Sequence, residues 1–181
     1  GNDDNGIWIK EDNKLALGHQ RLAILDLSSK GHQPIESSSK RYIMIFNGEI
    51  YNHLELRNQI TEKRNNEKLN KKKWFGHSDT ETLIESIEEF GIFNAINKFA
   101  GMFSIGLLDR NENKFYLIRD RMGEKPIYWN VSGEGKLKQF TFASEIDAIY
   151  KLPSFNKNIN KSSFNLLFKY SYIPSPLSII E

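Results

Sequence analysis

The sequence predicts an α+β domain built mainly on antiparallel sheet, and three observations carry that reading. Strands predominate in the middle of the chain, and one of these apolar runs, Tyr42–Phe46, is rich in Ile, Tyr and Phe and stops at Asn47-Gly48. Helical periodicity is grouped between Asp79 and Ala100 instead of alternating strictly with strands, as a parallel sheet would require. The hydrophobic period then switches from about 3.6 to 2: Phe103, Ile105 and Leu107 alternate, Asp109–Asn113 turns, and Phe115–Ile118 returns as a hairpin.

Taken in order, residues 1–6 read as loop and Ile7-Trp8-Ile9 as a short strand ended by the polar turn Lys10–Lys14. Leu15–Leu27 is apolar with polar insertions at Gly18, His19, Gln20 and Arg21, so strand, interruption, strand is expected. Gly31–Arg41 is expected as loop. Tyr42–Phe46 is a strand that stops at Asn47-Gly48, a dipeptide suited to positive φ and a sharp turn. A helix should follow with Leu54, Arg57 and Ile60 on one face. The basic run Lys63–Lys73 is expected as a solvated loop.

Ser78-Asp79-Thr80-Glu81 is a capping box, opening a helix Asp79–Phe90 whose apolar face is Leu83, Ile84, Ile87 and Phe90 and which closes at Gly91. Ile92–Ala100 repeats the helical pattern. After the hairpin, Arg119, Asp120 and Arg121 suggest a buried charge network joining strands. Pro126–Trp129 and Phe140–Ala143 flank a Gly-containing hairpin loop, Ser144–Tyr150 reads as a short capped helix, and Lys161–Tyr170 as another, stopped before Pro174 and Pro176.

Composition excludes several classes. At 181 residues the chain is one domain by prior, with no uninterrupted apolar run long enough for a membrane span and a polar, acidic start unlike a secretory signal. With no cysteine, disulfides, thiolate zinc sites and a cysteine nucleophile are absent from these residues, and a cytoplasmic setting is expected. The net charge of +2 and the lack of aromatics in the basic run argue against nucleic acid as a partner. His19, His32, His53 and His77 are scattered without metal-ligand spacing, so structural or solvent-facing roles are expected and no metal is.

Six strings, LGHQRLAILDLSSKGHQP, FNGEIYNHLELR, HSDTETLIESIEEFG, AGMFSIGLLDR, LIRDRMGEKPIYW and FASEIDAI, occur in the order found in class II glutamine amidotransferases. The chain most resembles the glutaminase domain of glutamine-hydrolysing asparagine synthetases. That resemblance implies the N-terminal-nucleophile fold, a four-layer αββα sandwich. It implies a glutaminase domain over residues 1–170, with 171–181 beginning a linker to a synthetase domain. It also implies hydrolysis of L-glutamine to glutamate and ammonia for ATP-dependent amidation of aspartate.

By the same resemblance Asn47 and Gly48 match the oxyanion hole, and Arg21 the residue that holds the substrate α-carboxylate. Asp79 matches the acceptor for the α-ammonium with Glu49 beside it, and Leu22 and Ile24 fall where the family lines its pocket. Read from residues alone, Arg21 is equally a surface strand residue in an ordinary ion pair and Asp79 equally a helix-start acid.

The family opens with Cys-Gly-Ile, whereas residues 1–8 here resemble the end of its later Arg-Gly-Pro-Asp-Asp string. The expectation is therefore a segment that lacks the nucleophile and is itself inactive, cut from an enzyme. The alternatives are a non-catalytic relative that binds glutamine or is purely structural, or an amidotransferase with a sugar or another carboxylate as acceptor. ATP and magnesium are expected only in the synthetase domain. An absent first strand would expose unpaired backbone, so marginal stability or a homodimer through that edge is expected.

Overall fold

A computed structural model describes residues 4–12, 14–21, 31–174 and 177–180, and every strand pair in it is antiparallel. It divides into two compact units, Gly1–Lys125 and Pro126–Glu181. No helix among the described residues is long and apolar enough to cross a membrane.

The first unit opens with a hairpin of β1 (Asp4–Ile9) and β2 (Ala16–Arg21). Its main sheet runs in the order β3 (Ile35–Glu36), β4 (Tyr42–Ile50), β5 (Gly101–Asp109), β6 (Lys114–Arg119). Between β4 and β5 lie α1 (His53–Asn66), α2 (Asp79–Phe90) and α3 (Ile92–Lys98). Alternation along the strands sorts the two faces. Met44, Phe46 and Ile50 of β4 share one core with Phe103, Ile105 and Leu107 of β5, and with Leu56, Leu83, Ile84 and Ile87 of the helices. Ile43 and Leu108, partners across β4 and β5, are buried on the reverse face. There Leu108 and Trp8 of β1 line one cavity, and the Arg110 guanidinium lies 5.4 Å from the Trp8 ring centre. Helices, sheet and hairpin are thus three successive layers.

Several expectations change. Gly18, His19 and Gln20 do not interrupt β2, which pairs continuously from Ala16 to Arg21; the remainder of the expected second strand lies outside the described residues. The expected loop at Gly31–Arg41 contains the two-residue strand β3, anchored on Ile43 and Met44. Asn47-Gly48 is not a turn: β4 runs through it to Ile50, and the turn falls at Tyr51-Asn52. The buried positions of α1 are Leu56 and Ile60, an i, i+4 pair, whereas Leu54 is 64% exposed.

The basic run is not a solvated loop either. Helix α1 continues through Asn66, Lys63 and Arg64 pair with Glu89, and Lys72 is buried against Glu85. Glu85 also accepts from the Ser38 amide and hydroxyl, both at 2.8 Å, which satisfies the buried carboxylate. Ser78 caps α2 by accepting from the Glu81 amide at 3.3 Å. The Glu81 carboxylate, however, turns to the amides of Phe75 and Gly76, so only half of the capping box forms. Helix α3 ends at Lys98 because Phe99 leaves in extended geometry.

Asp120 is buried, but its partners are backbone amides and not neighbouring charges: it accepts from Phe103, Glu124 and Lys125 at 2.9–3.2 Å. Arg119 instead binds the carbonyls of Gly123 and Lys125. Burial pushes the Asp120 carboxyl up, and the amides of Lys125, Glu124, Phe103 and Gly123 outweigh it, bringing it down to about 2. With an unfolded value near 3.9, the folded form binds fewer protons, so about 2 kcal/mol of stability is present above roughly pH 5 and is lost as pH falls from about 4 toward 2. Asp120→Asn should therefore lower the urea midpoint at pH 7, with the gap to the parent chain narrowing at pH 2–3. A gap independent of pH would contradict this account.

The second unit pairs β7 (Tyr128–Ser132) with β8 (Gln139–Ala143) and carries α4 (Ile146–Tyr150) and α5 (Lys161–Tyr170). No side chain caps α4, contrary to expectation, since Glu145 and not Ser144 occupies its N-cap. Asn160 caps α5, accepting from the Ser163 amide.

Candidate functional site

The candidate site lies along the edge of β4 that faces β3, past Met44, where β3 no longer covers it. In an antiparallel ladder both backbone polar groups of a residue point to the same side, and the side alternates along the strand. Phe103 of β5 directs its N–H to Asp120 Oδ2 at 3.2 Å and its C=O to the Asp120 amide at 2.8 Å, away from β4. Gly48, its register partner, therefore points its own N–H and C=O outward, on the edge that carries β3. The same parity holds at both ends: the Tyr42 carbonyl accepts from the Ser37 amide on that edge, while the Tyr51 amide donates inward to Ala100.

Along this edge the outward positions are filled one by one. Tyr42 is met by Ser37 and Met44 by Ile35. Phe46 is met by the side chain of Gln33, whose Oε1 accepts from the Phe46 amide at 2.6 Å and whose Nε2 donates to its carbonyl at 3.1 Å. His19 Nε2 lies 3.1 Å from the same carbonyl, which requires that nitrogen to carry the proton. The Ile50 amide donates to Asp79 Oδ2 at 2.9 Å. Among the described residues, nothing accepts from the amide of Gly48.

Gly48 is there for a reason of space as well as torsion. Its φ is +151°, and a Cβ would stand 2.0 Å from the Met102 carbonyl oxygen. The strand pair closes tightly at this point, and only glycine fits. Asn47 and Glu49 project from the reverse face, half-buried, and among the described residues their side chains have no hydrogen-bond partner. A bare backbone N–H and an unengaged side-chain amide are thus adjacent, and two such donors suit a developing oxyanion.

Asp79 is the first residue of α2, buried at 6% exposure, with Oδ1 accepting from the Thr80 amide at 2.9 Å and Oδ2 from Ile50. It therefore fastens the helix start to the strand two residues past Gly48. The segment before it is held in turn by Arg57, which donates to Thr82 Oγ1, the Gly76 carbonyl and the Ser78 carbonyl at 2.7–3.0 Å and lies 4.2 Å from the Trp74 ring centre. Burial lowers the pKa of this guanidinium and Glu81 opposes the shift. A holding role for Arg57 was not recognised from sequence, although an arginine inside the apolar series Leu54–Ile60 was the available signal.

Of the expected site residues, the structure brings Asn47, Gly48, Glu49 and Asp79 to one end of β4. Arg21 ends β2, two residues beyond His19, which touches the Phe46 carbonyl; its backbone is paired with Asp4, and its side chain lies outside the described set. Leu22 and Ile24 lie outside the described residues. His32 pairs with Asp4 at 2.8 Å and His77 is exposed, so neither joins the site.

A family profile described as a glutamine amidotransferase domain matches residues 1–181. A putative glutamine-hydrolysing asparagine synthetase 2 of Methanocaldococcus jannaschii is 37% identical over all of this chain and 36% of its own length. The glutamine-hydrolysing asparagine synthetase 2 of Bacillus subtilis is 35% identical over 88% of this chain and 19% of its own length. The chain thus spans about a third or less of these relatives. Among solved structures, the glutamine phosphoribosylpyrophosphate amidotransferase of B. subtilis superposes on 75% of this chain and 28% of its own, with a TM-score of 0.56 at 22% identity, which bears out the expected fold class of α+β with mainly antiparallel sheet.

Proposed function

The chain belongs to the glutamine amidotransferase domain family, and from that premise we propose that it is the glutaminase domain of an asparagine-synthetase-like enzyme, releasing ammonia from L-glutamine. The observation that supports this most is the outward-pointing Gly48 amide, framed on the β4 edge by Gln33 and Asp79. Glutamine is zwitterionic at one end and an amide at the other, and each part has a counterpart. The Asn47 side-chain amide and Gly48 N–H receive the charge that grows on the amide oxygen. Asp79, with Glu49 nearby, accepts from the α-ammonium. Arg21 grips the α-carboxylate with a planar fork that Lys cannot reproduce, and Leu22 and Ile24 line the stem.

The chemistry also needs a nucleophile, and the chain contains no cysteine. In this reading a thiol from the parent protein, outside these residues, adds to the amide carbon with its own α-amino group as base. The C–N bond breaks as ammonia leaves with that proton, and water then cleaves the thioester to glutamate. Asparagine formation, and with it ATP and magnesium, is assigned to the synthetase part of the parent.

The test is ammonia release by the parent protein. Asn47→Ala should lower kcat by roughly a hundredfold at little cost in KM, the loss expected for one oxyanion donor. Arg21→Ala should raise KM instead. The 181-residue chain alone should release no ammonia; turnover by it, or wild-type kinetics in both variants, would overturn the assignments. A second reading is a relative that binds glutamine without hydrolysing it. It predicts saturable glutamine binding by a parent that releases no ammonia.

A further inference from the structure

We infer that Gln33 is a positioning residue that keeps the Gly48 amide turned out toward substrate; this rests on the glutamine site proposed above. The side chain does what a β-strand residue would do, meeting both the N–H and the C=O of Phe46. A real strand in its place would continue the ladder to Gly48 and consume the amide. A single side chain satisfies Phe46 and goes no further. Asp79 takes the Ile50 amide in the same way from the other end. The edge is thus tied on either side of one open position, and the glycine there, with no side chain to limit its torsions, would otherwise be free to swing.

Gln33 is itself rigidly mounted. It is 5% exposed, and its backbone carbonyl is pressed against β1 at Gly6, where a Cβ would stand 2.2 Å from that oxygen. The preceding His32 is fixed to Asp4 of the same strand at 2.8 Å. A glycine, the His32–Asp4 contact and a buried amide thus combine to locate one peptide group beside Asn47. For packing alone, a buried Met or Leu would serve.

The experiment follows amide resonances of the isotopically labelled 181-residue chain during titration with L-glutamine, for wild type, Gln33→Met and Gln33→Glu. Wild type should show saturable shifts at the Gly48 backbone amide, the Asn47 side-chain amide and around Asp79. In Gln33→Met the shifts around Asp79 should persist with an affinity changed by less than about threefold, since that contact is separate, while the Gly48 shift is at least halved. Gln33→Glu keeps the acceptor for Phe46 N–H and sets an oxygen against its carbonyl, so it should lose the Gly48 shift with the fold retained. In wild type without ligand, the Gly48 amide should exchange with solvent faster than those of Phe46 and Ile50. An undiminished Gly48 shift in the folded variants, or equal protection at all three amides, would overturn the role of Gln33 while leaving the site intact. Absence of any saturable shift in wild type would overturn the site and this role together.

Discussion

Gly48→Ala is expected to cost about 3–5 kcal/mol of stability, a large share of the total for a domain of this size. Two terms add. The +151° φ lies where L side chains rarely go, and the new methyl would meet the Met102 carbonyl oxygen at 2.0 Å and the Phe103 Cα at 2.7 Å. Both obstacles are backbone of β5, so no side chain can step aside. Relief requires β4 and β5 to part, and that displaces the position flanked by the Phe46 and Ile50 ties. Two other glycines calibrate the result. At Gly101 a Cβ would meet the Glu49 carbonyl at 2.1 Å without an unfavourable φ, so Gly101→Ala should destabilise less. At Gly18 a Cβ meets nothing within 4 Å, so Gly18→Ala should be close to neutral. Urea midpoints of the three variants give the ranking, and a Gly48→Ala chain as stable as Gly18→Ala would refute the close approach.

The same glycine shows what could be read from the sequence and what could not. By resemblance Asn47-Gly48 matches an oxyanion hole, and in the structure the Gly48 amide faces the outer edge of β4 next to Asn47. The physical reason assigned to it was a turn, because Asn-Gly after an apolar run is the commonest local signal for one. The glycine instead answers a contact with Met102, more than fifty residues away, which no local pattern encodes. Helix α2 was legible to the residue because its start and stop are local: Ser78 caps it and Gly91, at φ +78°, ends it. The β5–β6 hairpin was legible because alternation and turn are both local. The paired strand β3, the buried Lys72 and the strand-like use of Gln33 were not, since each depends on which segment comes alongside after folding.

Asp79→Asn separates two jobs that the wild-type residue performs together. As a strut, the carboxylate accepts from the Ile50 amide and the Thr80 amide, one on each oxygen. An amide side chain can satisfy only one of them, leaving a buried donor facing a donor, which costs about 1–3 kcal/mol. It also removes a negative charge from the first turn of α2, where the helix dipole favours it. As a substrate ligand, the carboxylate would face the α-ammonium of glutamine, and losing one partner of a desolvated charge pair costs about 2–5 kcal/mol of binding, roughly three-hundredfold at the middle of that range. The two losses are read by different instruments: denaturation midpoint for the strut, glutamine titration for the ligand. Asp79→Asn should show both. Because its two oxygens each retain a lone pair beyond the backbone bonds, nothing in the strut role exhausts the capacity of the carboxylate to accept from an ammonium. A variant that loses stability but binds glutamine like wild type would leave Asp79 as a fastening between helix and strand and move the ammonium site elsewhere, with Glu49, unengaged on the adjoining face, the first residue to test.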